Sequence, residues 1–524
     1  MNPVSTSLAS WPRICSLLIA ASLYFGGCSD SFSGSDSGAG GSVAAGASGA
    51  GATDASAGEG AGPRAGSGGA GGRASGGSRA TEPAGASGEA SSSAGESPSG
   101  GAPIGGEAGA TSSPPAGQRC FTCGASASGA AGTKGCAALT TCDASPKCKA
   151  WSDCLRGCND AACARQCDQA HQDVARYSYD VYACLCQSCA ASCSELSVCG
   201  QTCKDADKLP LQPTPPATLA QTLLYAGGAA SGATLAAYVR TFEPKYALWS
   251  DGAVKQRYIY VPPCSRIDTG DMDHWEFPVG TRLWKSFTVA SASDANTSSL
   301  VETRFIHRFG PGPDDWIFAA YQWPVSMVGG GLDPTAAKLT SGAVVNANGT
   351  THDIPSEAQC KNCHTKLPER VLGFSAFELS HALPGLNIAA ASDEGLLSVP
   401  ARQGFAPPGS AVAQAALGYL HANCGNCHNA SFHPVEPPPL MRLLVTQGTV
   451  ATTDTFKSLV NVPTQNPDFA GYDRIEPGKA EASEIIMRMQ RRPPATGQMP
   501  PLGTKVVHTE GVASVAAWIN SLPP

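Results

Sequence analysis

The sequence predicts a multidomain chain: a disordered Gly/Ala/Ser tether, a disulfide-rich α-helical module, a β-rich domain and an all-α carboxyl-terminal domain. Three observations predict it. Residues 29–118 are almost entirely Gly, Ala and Ser with scattered charges. Fifteen of the 22 cysteines fall in the 84 residues from Cys120 to Cys203. Beyond Pro244 the texture turns to alternating and aromatic runs, and beyond residue 409 to helical spacing.

At the amino terminus, a sparse region with Arg13 precedes an apolar run from Ile14 to Phe25. That run is too short to span a bilayer as a mature helix and suits a signal segment over 1–27. It ends in Gly26-Gly27-Cys28, which resembles a bacterial lipobox, in which the cysteine is lipidated and becomes the first residue. Phe25 stands where Leu is usual, and the alternative is ordinary signal cleavage with an incidental cysteine. No other segment is long and apolar enough to cross a bilayer.

The tether, 28–118, cannot bury enough apolar area to offset its ordering entropy. As a flexible coil it reaches roughly 50 Å, which suits spacing folded domains from a lipid anchor. The formal charge is −7 and no stretch is dense in Lys and Arg, which argues against a nucleic-acid partner.

In residues 119–208 a disulfide framework stands in for a core. Cys154 and Cys158, Cys163 and Cys167, and Cys189 and Cys193 are spaced i to i+4, as on short stapled helices. Twenty-two cysteines, less Cys15, Cys28 and the four thiols described next, leave sixteen. Eight bridges therefore require Cys264 to join the module, and connectivity is not deducible. The module reads as a binding surface or as a protease-resistant spacer.

A Pro-rich joint, Leu209 to Pro216, ends the module, and Thr218 caps a predicted short helix through Leu219, Leu223 and Leu224. Strands are expected over Arg257–Val261, Thr281–Val289, Val301–Phe309 and Trp316–Trp323. Six of the eight tryptophans lie beyond Tyr246, so the β-rich domain, 218–408, has material for a core.

Two motifs carry the chemistry: Cys360-Lys361-Asn362-Cys363-His364 and Cys424-Gly425-Asn426-Cys427-His428. Cys-x-x-Cys-His suits covalent attachment of c-type haem. Both thiols add to the haem vinyl groups, and the following imidazole faces the iron. Positions i, i+3 and i+4 share one face of a helical turn. Two other Cys-x-x-Cys pairs, Cys120 with Cys123 and Cys186 with Cys189, are followed by Gly124 and Ala190. Zinc sites and plain disulfides have overlapping spacings. Haem attachment also agrees with export.

The second motif follows a predicted helix, Ala413 to Asn423, in which Gly418 lies beside Tyr419. Gly497 to Gly503 forms a Met-Pro loop before a last helix, Glu510 to Ile519, bearing Trp518. Residues 409–524 thereby resemble a small class I cytochrome c domain. The resemblance implies His428 as proximal ligand, Met499 as distal ligand, and terminal helices that cross where Gly418 permits close approach. A thioether ligand raises the reduction potential relative to two imidazoles. Met441, Met487 and Met489 compete with Met499.

For the first haem His364 is the proximal ligand. The sixth position falls to His352, His307, His381, His274, Met272 or Met327, or stays open. His307 shares the strand face of Val301, Thr303 and Phe305, where a core histidine is the commoner meaning.

The stretches Tyr246 to Gly252, Asp271 to Trp275, Phe277 to Gly280, His352 to Pro355 and Val371 to Phe374, with both haem motifs, resemble a family of dihaem c-type cytochromes of Gram-negative bacteria. Its members are often lipoproteins. The resemblance spans roughly 218–524 and implies two haems, electron transfer and a redox protein partner, in some members a parallel β-helix repeat protein. Three function classes follow: an electron carrier, a dihaem enzyme of the peroxidase kind with an open first iron, and a surface-binding lipoprotein with ancillary haems. The expected location is the outer membrane, through lipidated Cys28, facing periplasm or cell surface. No Ser/His/Asp constellation or nucleotide loop suggests hydrolase or dinucleotide chemistry.

Overall fold

The computed structural model describes residues 113–126, 135–201, 203, 209–226, 234–291, 297–325, 333–401, 403–433 and 435–524. The signal segment, Cys28, nearly all of the tether and Met327 lie outside the described residues.

The cysteine-rich region is helical: α1 (Ala116–Ser126), α2 (Ala137–Asp143), α3 (Pro146–Arg156), α4 (Ala161–Ala170) and α5 (Ala175–Ser188). Local sequence sets the starts. Pro146 opens α3 behind Ser145, whose hydroxyl accepts from Cys148 N. Asp160 accepts from Ala162 N and Cys163 N at the start of α4. Both are favourable amino-terminal caps.

Disulfides then fix the helices to each other. Cys154–Cys167 and Cys158–Cys163 join the end of α3 to α4. Cys120 and Cys123, one turn apart on α1, bond Cys193 and Cys189. The latter two follow α5 in a turn, so the expected helical seam at Cys189 and Cys193 is supplied by α1 instead. The sulfur framework also surrounds a core and does not replace one. Trp151, Leu155, Val181 and Leu185 are fully buried, and Trp151 and Tyr182 both donate to Asp168.

The odd cysteine is resolved by Cys203–Cys264, which ties this region to the next. The module does not hang free. Arg176 donates to the carbonyls of Val261 and Ser265 at 2.7 Å, Tyr177 Oη to Ser392 O at 2.6 Å, and Lys147 pairs with buried Glu394 at 2.6 Å.

The predicted helix after Thr218 is one 3₁₀ turn, Leu219–Thr222, because Leu223 takes a left-handed conformation that ends it. Six strands follow: β1 (Val239–Phe242), β2 (Val254–Tyr260), β3 (Arg282–Ala290), β4 (Ser298–Arg308), β5 (Trp316–Gln322) and β6 (Lys338–Leu339). They form one antiparallel meander in sequence order. Alternation gives the sheet two different faces. Tyr258, Trp284, Phe305 and Tyr321 pack on one face with Leu219 and Leu224. Ile259, Leu283 and Phe318 pack on the other with Val371, Phe374 and Leu396.

Downstream lie α6 (Glu357–His364), α7 (Ala376–Leu379), α8 (Ile388–Asp393), α9 (Ala411–Asn423), α10 (Asp454–Leu459), α11 (Glu484–Gln490) and α12 (Thr509–Ser521). No described helix is long and apolar enough to cross a membrane. Helices α9 and α12 pack through Leu417, Leu420, Val515 and Trp518. Their close approach is not made at Gly418. A Cβ there would lie 2.1 Å from the Tyr246 ring, so that glycine admits an aromatic from before β2. Gly511 on α12 makes the close approach, since a Cβ there would meet Tyr419 of α9 at 2.4 Å.

The Cys203–Cys264 bridge closes a segment with a sequence separation of 61. Replacing both cysteines by alanine is expected to cost about 2–4 kcal/mol. Its expected signature is a lower midpoint in denaturant titration and faster proteolysis at the Leu209–Pro216 joint.

Candidate cofactor-attachment site

The first motif lies wholly on α6, whose start is fixed by a capping box between Ser356 and Gln359. Cys360, Cys363 and His364 therefore share one face, and Cys360 packs against the core beneath the sheet. His364 sits with its ring centroid 5.1 Å from Phe318 of β5. Its Nδ1 lies 2.7 Å from the Arg370 carbonyl. A carbonyl there selects the Nδ1–H tautomer and leaves Nε2 with its lone pair, the arrangement of a metal-ligating imidazole. Burial lowers the His364 pKa to about 4, so the ring is neutral at physiological pH. Arg370 holds the turn by donating to the carbonyls of Thr365, Leu367 and Pro313.

The second motif is a turn that continues α9. Cys424 caps the helix, and both Cys427 N and His428 N donate to Cys424 O. Cys424, Cys427 and His428 open into a cavity of about 480 Å³, within the roughly 300–1,000 Å³ of cofactor-sized pockets. Met499, Met441, Met489, Leu459, Ile485 and Val512 also line it. The cavity thus brings His428 and Met499 together. Met499 N donates to Arg488 O, and Arg488 Nε returns a bond to Gly497 O. Gln498 spans the loop to Pro500 O and Thr504 O. Met441 and Met489 are buried in the hydrophobic core, whereas Met499 is half-buried in its loop. Met487 does not line the cavity.

Three polar atoms around this cavity are buried without a hydrogen-bond partner: His428 Nδ1, His508 Nδ1 and Arg492 Nε. The Pro439 carbonyl is close enough to bear on the His428 ring, but Nδ1 makes no well-formed hydrogen bond. Orphaned buried polar groups are costly, and an apolar cavity edged by them fits a large, mostly apolar cofactor with a metal centre and a polar rim. His508 was missed in the sequence. It stacks on Trp249 at 4.0 Å and 7°. The available signal was its place between the Met-Pro loop and the last helix.

The two motifs meet. Cys363 and Cys427 lie close enough for each thiol to act on the other, which lowers the Cys363 pKa and raises that of Cys427. Lys366, two residues past His364, lies over the Phe432 ring at 3.8 Å. Of the twenty described cysteines, sixteen are in disulfides, and the four of the two motifs are free. Among the described residues these four thiols do not gather into a metal-binding cluster; the one cluster of three, Cys158, Cys163 and Cys167, is disulfide-bonded.

The other histidines predicted for the first motif divide by position. His307 is buried on the opposite sheet face, stacked beside Phe305, so the sheet separates it from His364. His381 uses both nitrogens, to Glu243 O and Leu383 N. His274 pairs with Glu369 at 3.3 Å. His352 lies on the motif's side, its Nε2 2.6 Å from Glu302 Oε1. Met272 packs against the core that also receives Cys360.

Beside the second motif lies another, small cavity of about 20 Å³, lined by Glu378, Arg257, Lys285, His421, Arg442 and Asn426 among others. Burial pushes the Glu378 carboxyl up to about 8, although Tyr246 N donates to it. No family model, curated protein or solved structure matches the chain.

A carboxyl whose pKa is raised on folding binds more protons folded than unfolded between the two values, so stability falls as pH rises through that window. For Glu378 the window runs from the ordinary 4.5 to about 8. Its contribution to stability should decline by up to roughly 1.4 kcal/mol per pH unit there. Glu378→Gln is expected to flatten this slope in denaturant titrations at pH 5, 6.5 and 8. An unchanged slope would show that Glu378 is ionised throughout.

Proposed function

We propose that the chain is an exported dihaem c-type cytochrome that transfers single electrons through haems bound covalently at Cys360 and Cys363 and at Cys424 and Cys427. The observation that carries this reading is the contact between the motifs at Cys363 and Cys427. Electron tunnelling weakens steeply with distance, and attachment points in contact bring the two redox centres as near as covalent tethering allows.

Bound haem supplies a one-electron iron couple at each motif. The chain's residues do the rest. His364 and His428 offer neutral imidazoles, and Arg370 O fixes the tautomer of the first. Met499 presents its thioether from a loop braced by Arg488 and Gln498. Trp249, Tyr419 and the aliphatic side chains of the large cavity exclude water, which stabilises the less charged, reduced state and raises the potential. The partner would be a redox protein, with a parallel β-helix repeat protein suggested by the family resemblance. The anchor would be Cys28, placing the protein at the outer membrane facing the periplasm or cell surface.

A dihaem enzyme of the peroxidase kind is the second reading. His307 across the sheet and the two engaged nitrogens of His381 favour it, because they remove candidate sixth ligands from the first iron. The visible spectrum of the reduced mature protein, with and without carbon monoxide and calibrated to haem per chain, separates the readings. Two haems indifferent to the gas are expected for the carrier; one that binds it would move the assignment to the enzyme. No covalent haem in a strain competent to attach it would overturn both.

Met499→Ala is expected to abolish the weak red charge-transfer band of Met-ligated ferric haem, make one haem reactive to carbon monoxide and lower its potential. His508→Ala should leave that band in place. A wild type without that band, with carbon monoxide reactivity appearing in His508→Ala and not in Met499→Ala, would assign the distal position to His508.

A further inference from the structure

Arg257, Lys285 and Arg304 stand side by side on β2, β3 and β4. Arg257 is in register with Lys285, and Lys285 with Arg304. Like charges directly opposite on neighbouring strands repel, and this row faces inward: Arg257 is buried, and Lys285 and Arg304 are half-buried. The two ends have carboxylate partners. Glu243 lies 2.7 Å from Arg257, and Glu302 lies 2.7 Å from Arg304. The middle has none among the described residues. The Lys285 ammonium lies 5.4 Å from the Phe287 ring centroid and forms no ion pair. Lys255, opposite Phe287, adds a fourth cation nearby. The carboxylate that bears on Lys285 is Glu302, already shared by Arg304 and His352, while Glu378 on the same small cavity is held protonated by burial up to about pH 8.

An ammonium withdrawn from water without a partner is costly. A sheet face with no further occupant gains nothing from three cations in register. This face lies under the first motif. The adjoining row of the sheet ends in Phe318, against His364. Lys285 and Arg304 bear electrostatically on Cys363 and His364, and Arg304 also on Cys360. Arg257 and Lys285 line the small cavity that continues to Asn426 of the second motif.

We propose that the Arg257–Lys285–Arg304 row is a carboxylate-binding site for the porphyrin attached through Cys360 and Cys363, with Lys285 supplying the charge that no protein carboxylate neutralises. This rests on haem attachment at the first motif. A free inorganic oxyanion has the same chemistry, and the experiment separates the two sources.

Haem per chain is measured first on the full wild-type protein. Fewer than two would sink the dihaem reading itself, whatever Lys285 does. With two present, Lys285→Met and Lys285→Arg are compared with wild type by potentiometric titration and thermal melting. Melting is repeated in a Cys360→Ala/Cys363→Ala background that lacks only the first attachment. Lys285→Met is expected to lower the potential of one haem and leave the other unchanged, because a positive charge beside the reducible centre is lost. It should lower the melting temperature of the loaded protein and raise that of the attachment-deficient form, where only repulsion is removed. Lys285→Arg should keep the wild-type potentials.

Several results would overturn the proposal. One is Lys285→Met stabilising the loaded protein with both potentials unchanged. Another is Lys285→Arg shifting a potential as far as Lys285→Met, which would make packing responsible. A third is inorganic phosphate or nitrate stabilising loaded wild type but not Lys285→Met, which would leave the row open to a free anion. Should the attachment-deficient form fail to fold, the potentials of the two loaded variants decide alone.

Discussion

Glu369 and Arg442 form an ion pair in which both side chains are at least nine-tenths buried, and it joins the sheet region to the helices that carry the second motif. Glu369 comes five residues after His364; Arg442 follows the turn that begins at His428. Leaving one such partner unpaired in the interior typically costs 3–5 kcal/mol, so the pair fixes how the two motif-bearing segments meet. Its neighbours repeat the constraint. His274 reaches the other Glu369 oxygen, Asp273 accepts from Val445 N, and Asn423 accepts from Trp249 N at 2.8 Å. Tyr246 fills the space over Gly418. Contact between Cys363 and Cys427 is a consequence of this interface and not of either motif alone.

The same interface explains why charged groups crowd a region that elsewhere would be aliphatic. Arg257, Lys285, Glu378 and Arg442 line one small cavity with Asn426 of the second motif, and Arg304 stands beside Lys285 in the sheet. Hydrocarbon there would pack as well and fold more readily. On the proposed function that space would serve a different end, setting the potential of the groups attached at the motifs through nearby charge and limited water. Glu378, neutral below about pH 8, and the cationic row bias the region toward positive potential. A positive field there favours the reduced state of any group attached nearby.

How much of this was legible follows from length and period. Strands β2 to β5 run for seven or more residues, long enough for an alternating or continuously apolar and aromatic texture to register. Strands β1 and β6, at four and two residues, are too short for that and exist because neighbouring strands present open edges. The core of the cysteine-rich region was masked by its cysteines. Trp151, Tyr182 and Leu185 are sparse in sequence, yet the bridges gather them. Gly418 was legible as a close approach but not as to its partner, because Tyr246 is remote in the chain. The motif residues were legible because the same short spacing occurs twice in the sequence, whereas the cavity wall, including His508, depends on tertiary contacts.

Cysteine partition supplies a last step that spacing alone could not. In an oxidising compartment a thiol without a partner is a liability, and this chain pairs sixteen, recruiting distant Cys264 so that the helical region has no odd residue. Among the described residues the four left free form two pairs, Cys360 with Cys363 and Cys424 with Cys427, and the second cysteine of each pair is followed by histidine. Two of these, Cys363 and Cys427, lie close enough to shift each other's pKa, yet they remain thiols. A structural bridge there would add one more covalent tie across an interface already held by Glu369 and Arg442. On the proposed function both sulfurs would instead take another covalent partner, and each is followed by a histidine.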